Sequence, residues 1–178
     1  MRTIVLTGPE SSGKTTLCQL LAVEYGTTWV PEQARSYLAA LGRPYTYEDL
    51  TVIAERQLKL RDVRARRAKG YLFCDTDMLV LKIWALEKYG RVPALIEEAL
   101  QRRAPDAYLL CAPDIPYEPD PLRESEGRRA YLFALYETAL REMEVPFVVV
   151  RGTLTERRAG VEAFLARLGA GRPPTGSA

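Results

Sequence analysis

Eight consecutive residues, Gly8-Pro9-Glu10-Ser11-Ser12-Gly13-Lys14-Thr15, leave this chain few ways to fold. They fit G-x-x-x-x-G-K-[ST] and stand where that spacing has physical meaning. Thr3-Ile4-Val5-Leu6-Thr7 before them has the length and polarity of a buried strand, and Thr16-Leu17-Cys18-Gln19-Leu20-Leu21 after them continues at helical period. Gly8 and Gly13 let the backbone turn tightly beside an anion, so that successive N–H groups between Pro9 and Thr16 converge on one phosphate at a helix N-terminus. Lys14 adds a mobile charge for the outer phosphates, and the Thr15 hydroxyl suits Mg2+. The alternative, a chance glycine-rich turn, does not explain why strand and helix flank it in the right order. The expected ligand is a nucleoside triphosphate with Mg2+.

Composition narrows the field. The 178 residues have the size of one domain, and 47% hydrophobic content is enough for a core. A formal net charge of +2 gives no reason to expect nucleic acid or a membrane surface as partner. No apolar run approaches the roughly 20 residues that cross a bilayer. Met1-Arg2 leads straight into the first strand without room for a signal peptide, so a cytoplasmic location is expected. Cys18, Cys74 and Cys111 lie far apart in apolar segments and read as buried thiols. The chain has no His, which removes imidazole as base or ligand, and no Asn, which removes the N-K-x-D guanine reader of GTPase switches.

Strand-like and helix-like segments alternate from end to end. Strands are expected at Ile4–Thr7, 27–30, 70–74, 106–111 and 146–150, with helices between them. Thr46 with Asp49 reads as a capping box opening a long helix. The fold expected is α/β, a single P-loop domain over residues 1–168 with a five-stranded parallel sheet covered on both faces. A Pro- and charge-rich segment, about 112–129, reads as a lid carrying Arg123, Arg128 and Arg129. Residues 169–178 read as a disordered tail.

Acids at strand ends are the candidate chemical groups. Glu32 follows the second strand and Asp75-Thr76-Asp77 closes the third, at the sheet edge where open α/β folds bind ligands. Two carboxylates at i and i+2 face opposite ways on an extended chain, so Asp75 is expected to face a metal while Asp77 meets substrate or caps the next helix. Tyr45 and Tyr47 either form a flat pocket for an aromatic base or simply pack. An AAA-type or helicase motor needs more chain and a strand-end Asp-Glu; this sequence has Asp-Thr-Asp. A small kinase needs an acid near the acceptor hydroxyl, a metal acid and mobile arginines, and each has a candidate here.

The run Thr7–Leu17, then Pro31-Glu32-Gln33-Ala34-Arg35-Ser36-Tyr37, Asp75-Thr76-Asp77 and Asp120-Pro121-Leu122-Arg123 resembles the ribosylnicotinamide kinase domain of NadR-type NAD-salvage proteins. The resemblance implies transfer of the ATP γ-phosphate to the 5'-hydroxyl of nicotinamide riboside. It also implies roles. The P-loop and Lys14 hold the ATP phosphates, Thr15 and Asp75 position Mg2+, and Glu32 accepts or orients the 5'-hydroxyl proton. Arg123, with Arg128 or Arg129, offsets charge on the moving phosphoryl group. Arg35, Asp77 and Tyr45 contact the acceptor, and Gly152-Thr153 lies along the adenine. Without His the chain lacks the histidine motif of the adenylyltransferase that fuller members carry. Another nucleoside or small-molecule kinase, or a nucleotide-dependent ATPase or regulatory module, remains open on the residues alone.

Overall fold

A computed structural model describes residues 1–120 and 126–170. Its centre is β1 (Arg2–Thr7), whose alternating side chains feed two different cores. Ile4 and Leu6 point to one face, where Phe73, Leu109 and Cys111 join Leu17, Cys18 and Leu21 of α1 (Lys14–Glu24) and Val161 and Leu165 of α7 (Leu154–Ala170). Val5 points to the other, packing with Leu72, Cys74, Tyr108 and Leu110 against α4 (Met78–Tyr89) and α6 (Arg129–Glu142). Truncating a fully buried leucine such as Leu17 to alanine is expected to cost about 2–5 kcal/mol.

The sheet holds five parallel strands in the order β2-β3-β1-β4-β5, with β2 (Trp29–Val30), β3 (Tyr71–Asp75), β4 (Ala107–Cys111) and β5 (Phe147–Val150). The α/β, five-stranded parallel P-loop architecture expected from the sequence is the one observed. Crossover helices cover both faces, so the strands read as continuous apolar runs. β4 and β5 each begin one residue later than expected, and β2 is cut to half its expected length. The Thr27 hydroxyl donates to the Tyr71 carbonyl at 2.7 Å and accepts from the Lys69 N–H at 2.9 Å, taking the place of ladder bonds at this edge.

A third core lies beyond the sheet, where α2 (Gln33–Leu41), α3 (Tyr47–Ala65), α4 and α5 (Ala94–Arg102) meet around Ala34, Leu50, Ile53, Met78 and Ile96. The capping box forms: the Thr46 N–H donates to the Asp49 carboxylate at 2.7 Å. Asp49 also takes both Arg43 nitrogens, at 2.7 and 2.9 Å, and the Tyr37 hydroxyl at 2.5 Å, which ties α2 to the start of α3. Between β4 and α6 the chain is irregular through Asp120 and re-enters a 3-10 turn at Glu126–Arg128. The last helix runs two residues past the expected domain end, and the rest of the expected tail, 171–178, lies outside the described residues. No helix among the described residues is long and apolar enough to cross a membrane.

Candidate functional site

The loop from Gly8 to Gly13 is bent by positive φ at Gly8 (128°), Ser11 (52°) and Gly13 (78°). Gly8 is there for space as well as for angle. A Cβ on it would stand 2.6 Å from the Cys111 carbonyl oxygen, so the loop lies against the end of β4 with no room for a side chain. Four of its carbonyls are held by donors. Lys14 Nζ donates to Gly8 O at 3.0 Å and Pro9 O at 2.7 Å, Ser12 Oγ to Pro9 O at 2.8 Å, Arg129 Nη1 to Ser11 O at 3.0 Å and Arg157 Nη1 to Ser12 O at 2.6 Å. In a trans peptide a carbonyl turned one way sends the next N–H the other way. The loop is thereby built as an anion-facing concavity at the start of α1.

This loop forms one wall of a cavity of about 440 Å³, and all nine residues from Gly8 to Thr16 line it. The other walls come from elements far away in sequence. Glu32 and Arg35 arrive from the start of α2, Tyr45 from the α2–α3 connection, Arg128 from the turn before α6, and Leu132 and Tyr136 from α6 itself. Glu32 is the N-cap residue of α2, and its side chain makes no capping bond. Burial raises its carboxyl above the ordinary 4.5; Lys14 pulls it down and Asp75 pushes it up again.

Asp75 sits beneath the loop rather than in the wall, 1% exposed at the end of β3. The Thr15 hydroxyl donates to its Oδ2 at 2.6 Å, while its Oδ1 is buried without a hydrogen-bond partner among the described residues. Burial raises this carboxyl too, against Lys14 and the Thr15 bond. An orphaned carboxylate oxygen beside a hydroxyl is an all-oxygen donor set that fits a hard divalent cation, one that keeps most of its water. Among the described residues no group of three His, Cys, Asp or Glu side chains could cage a metal.

Three expected contacts fall elsewhere. Asp77 does not line the cavity. It is 8% exposed, accepts from Tyr108 Oη at 2.6 Å and caps α4 through Leu79 N–H at 3.0 Å, so the capping alternative is the one realised. Gly152 and Thr153 do not line it either. The Gly152 N–H donates to Asp114 at 2.7 Å, and the Thr153 hydroxyl is held by Glu156 at 2.8 Å in a box that starts α7. Arg123 lies outside the described residues. The other arginines are engaged: Arg35 with Asp120 at 2.6 Å, Arg128 with Glu87, and Arg129 with the Ser11 and Ile115 carbonyls at 3.0 Å each. Tyr47 packs edge-on against Tyr89, 5.5 Å between centroids, away from the cavity.

The largest surprise is α4. Val80, Ile83, Trp84, Glu87 and Lys88 form one i, i+3, i+4, i+7, i+8 stripe, and all of it faces the cavity. Trp84 meets Tyr45 edge-on at 5.0 Å between centroids and donates its Nε1–H to the Tyr45 hydroxyl at 3.0 Å. Lys88 stands over the Tyr45 ring at 3.8 Å. The signal for Trp84 was its place four residues after Val80 on that stripe.

The chain is 30% identical over 158 residues to the trifunctional NAD biosynthesis/regulator protein NadR of Salmonella typhimurium, a match that takes in 85% of this chain. It spans 38% of that relative's length. A NadR protein solved in complex with NR superposes with a TM-score of 0.77 at 22% identity, over 99% of this chain and 54% of that one. Another, in complex with NAD and AMP-PNP, superposes at 0.70 with 23% identity, over 97% and 51%. At these identities the two superpositions show a shared fold. The AAA domain family matches residues 3–157, which hold the phosphate loop, Glu32 and Asp75, and the chain belongs to that family.

Proposed function

We propose that this chain is an ATP-dependent kinase that phosphorylates the 5'-hydroxyl of nicotinamide riboside. The observation that carries the reading is Glu32, a carboxyl raised by burial in the wall of the cavity that the phosphate loop opens into. A phosphate cradle facing such an acid is what transfer of a phosphoryl group to an alcohol requires. The AAA family name does not argue for a motor, because Thr76 rather than an acid follows Asp75. Supporting the acceptor are the NadR likeness over most of the chain and the aromatic corner of Tyr45 and Trp84. A pyridinium ring is a cation, and an indole face attracts one.

In this reading the loop N–H groups and Lys14 bind the ATP phosphates, Lys14 leaving its own loop carbonyls to do so. Thr15 and Asp75 would hold Mg2+, which supplies charge neutralisation on the β- and γ-phosphates. Glu32 takes the proton of the 5'-hydroxyl as its oxygen bonds to the γ-phosphorus and the bond from that phosphorus to the ADP oxygen breaks. Arg128 and Arg35, two of the cations that line the cavity, would balance charge on the moving group and the acceptor. Cytoplasmic residence follows from this role in NAD salvage. A coupled ADP-release assay across nicotinamide riboside, other nucleosides and no acceptor tests the reading. ADP release that depends on the riboside is expected; equal release without acceptor would replace the kinase by an ATPase.

A further inference from the structure

One buried charge has no part in that mechanism. Arg157, in the first turn of α7, is 3% exposed and does not line the cavity. Its guanidinium serves four acceptors on three separate loops. Nη1 donates to Ser12 O at 2.6 Å, Nη2 to Ala112 O at 3.1 Å and to the Asp114 carboxylate, and Nε to Gly152 O at 3.0 Å. Asp114 in turn accepts the Gly152 N–H at 2.7 Å.

Packing does not explain an arginine here. Position 157 shares the stripe of Val161 and Leu165, at i+4 and i+8, and both are buried in the core under β1. An apolar residue would fill that place without the cost of desolvating a charge. What an apolar residue cannot do is hold carbonyls in a set direction. With Ser12 O drawn to Arg157, the Gly13 N–H of the same trans peptide is turned away from the guanidinium, toward the cavity that Gly13 lines.

We propose that Arg157 is a positioning residue of the nucleotide site. It fixes the aim of the Gly13 N–H before any ligand arrives and ties the phosphate loop to the Asp114 and Gly152 turns. The triphosphate then meets donors that need no reorientation. Its carboxylate partner Asp114, with a side chain 35% exposed, is the accessible end of the same clamp.

The inference rests on the nucleotide reading of the cavity and not on the identity of the acceptor. The experiment measures Mg-ADP affinity by calorimetry, the KM for ATP and for nicotinamide riboside, and thermal unfolding, in wild type, Arg157→Lys and Asp114→Asn. Lysine keeps a cation but lacks the fork that reaches separate acceptors. ADP affinity and the KM for ATP are expected to worsen about tenfold in Arg157→Lys and about threefold in Asp114→Asn, with the riboside KM unchanged. A folded Arg157→Lys with wild-type ADP affinity overturns the proposal; should that variant fail to fold, wild-type affinity in Asp114→Asn does so. Wild-type protein that binds no Mg-ADP removes the nucleotide reading and this inference together. ADP binding without riboside phosphorylation removes only the acceptor.

Discussion

The two ends of the cavity are made of different material. At the phosphate end the lining comes from nine consecutive residues, whose main-chain amides, Pro9 apart, can donate, and the loop is held in place by Gly8 against β4 and by Lys14, Ser12, Arg129 and Arg157 on its carbonyls. At the opposite end the groups are side chains, Glu32 and Arg35 from the start of α2, Tyr45 from a connection and Trp84 from α4, on helices that also meet in the third core. A site built from contiguous backbone has a spacing that any chain of that shape must repeat. One built from side chains on separate helices has none.

If the two ends act separately, substitutions should move one substrate's kinetics and spare the other's. Glu32→Gln is expected to lower kcat between about a hundredfold and ten-thousandfold while leaving ATP binding nearly intact. An unchanged kcat would shift the proton acceptor to another carboxylate. Lys14→Ala should lower kcat/KM for ATP about a hundredfold to a thousandfold, read in steady state with the riboside saturating. Were Trp84→Ala to leave the riboside KM alone, the aromatic corner would lose its part; a rise of about tenfold is expected, with the KM for ATP unmoved.

The pH profile sharpens the comparison at smaller amplitude. If Glu32 is the proton acceptor it must be ionised to act, and because burial raises its carboxyl above 4.5, kcat should fall on acidification at a higher pH than an ordinary glutamate would give. That limb should vanish in Glu32→Gln. The least effect is expected at Asp49, where the Arg43 and then the Tyr37 hydrogen bonds hold the carboxyl well below its usual value. Its ionised form is favoured by the fold, so its contribution to stability is present at neutral pH and is lost as pH falls below the unfolded value toward the folded one. Asp49→Asn should lower Tm by about 2–4 °C at pH 7 and by less in acid, measured by calorimetric unfolding.

The fold was legible because each strand is a short apolar run between helical periods, and the loop that starts α1 names the architecture. The positions of Glu32 in the cavity wall and of Asp75 beneath the loop were legible because both follow from the carboxyl ends of parallel strands. Asp77 was harder. A carboxylate two residues after Asp75 is as suited to capping as to substrate contact, and the buried Tyr108 hydroxyl that claims it comes from β4, 31 residues later. Trp84 carries no such mark, because α4 buries Leu79, Leu81 and Ala85 as well, and among so many apolar residues the stripe from Val80 to Lys88 that faces the cavity does not stand out. Arg157 carries no such mark either, because a charge within an apolar stripe announces a partner without saying which, and three of its four partners stand 43 to 145 residues away.

Strand order separates the two ends in space. With β1 in the middle, β3 and β2 lie on one flank with Asp75 and Glu32, and β4 and β5 lie on the other and lead to Asp114 and Gly152. A descendant selected for a new alcohol can redraw the helices that follow the first pair while the second pair stays bound to the triphosphate it must still accept. Divergence in such a lineage should accumulate on one side of the central strand, and an engineer seeking a new acceptor would do well to leave the opposite half untouched.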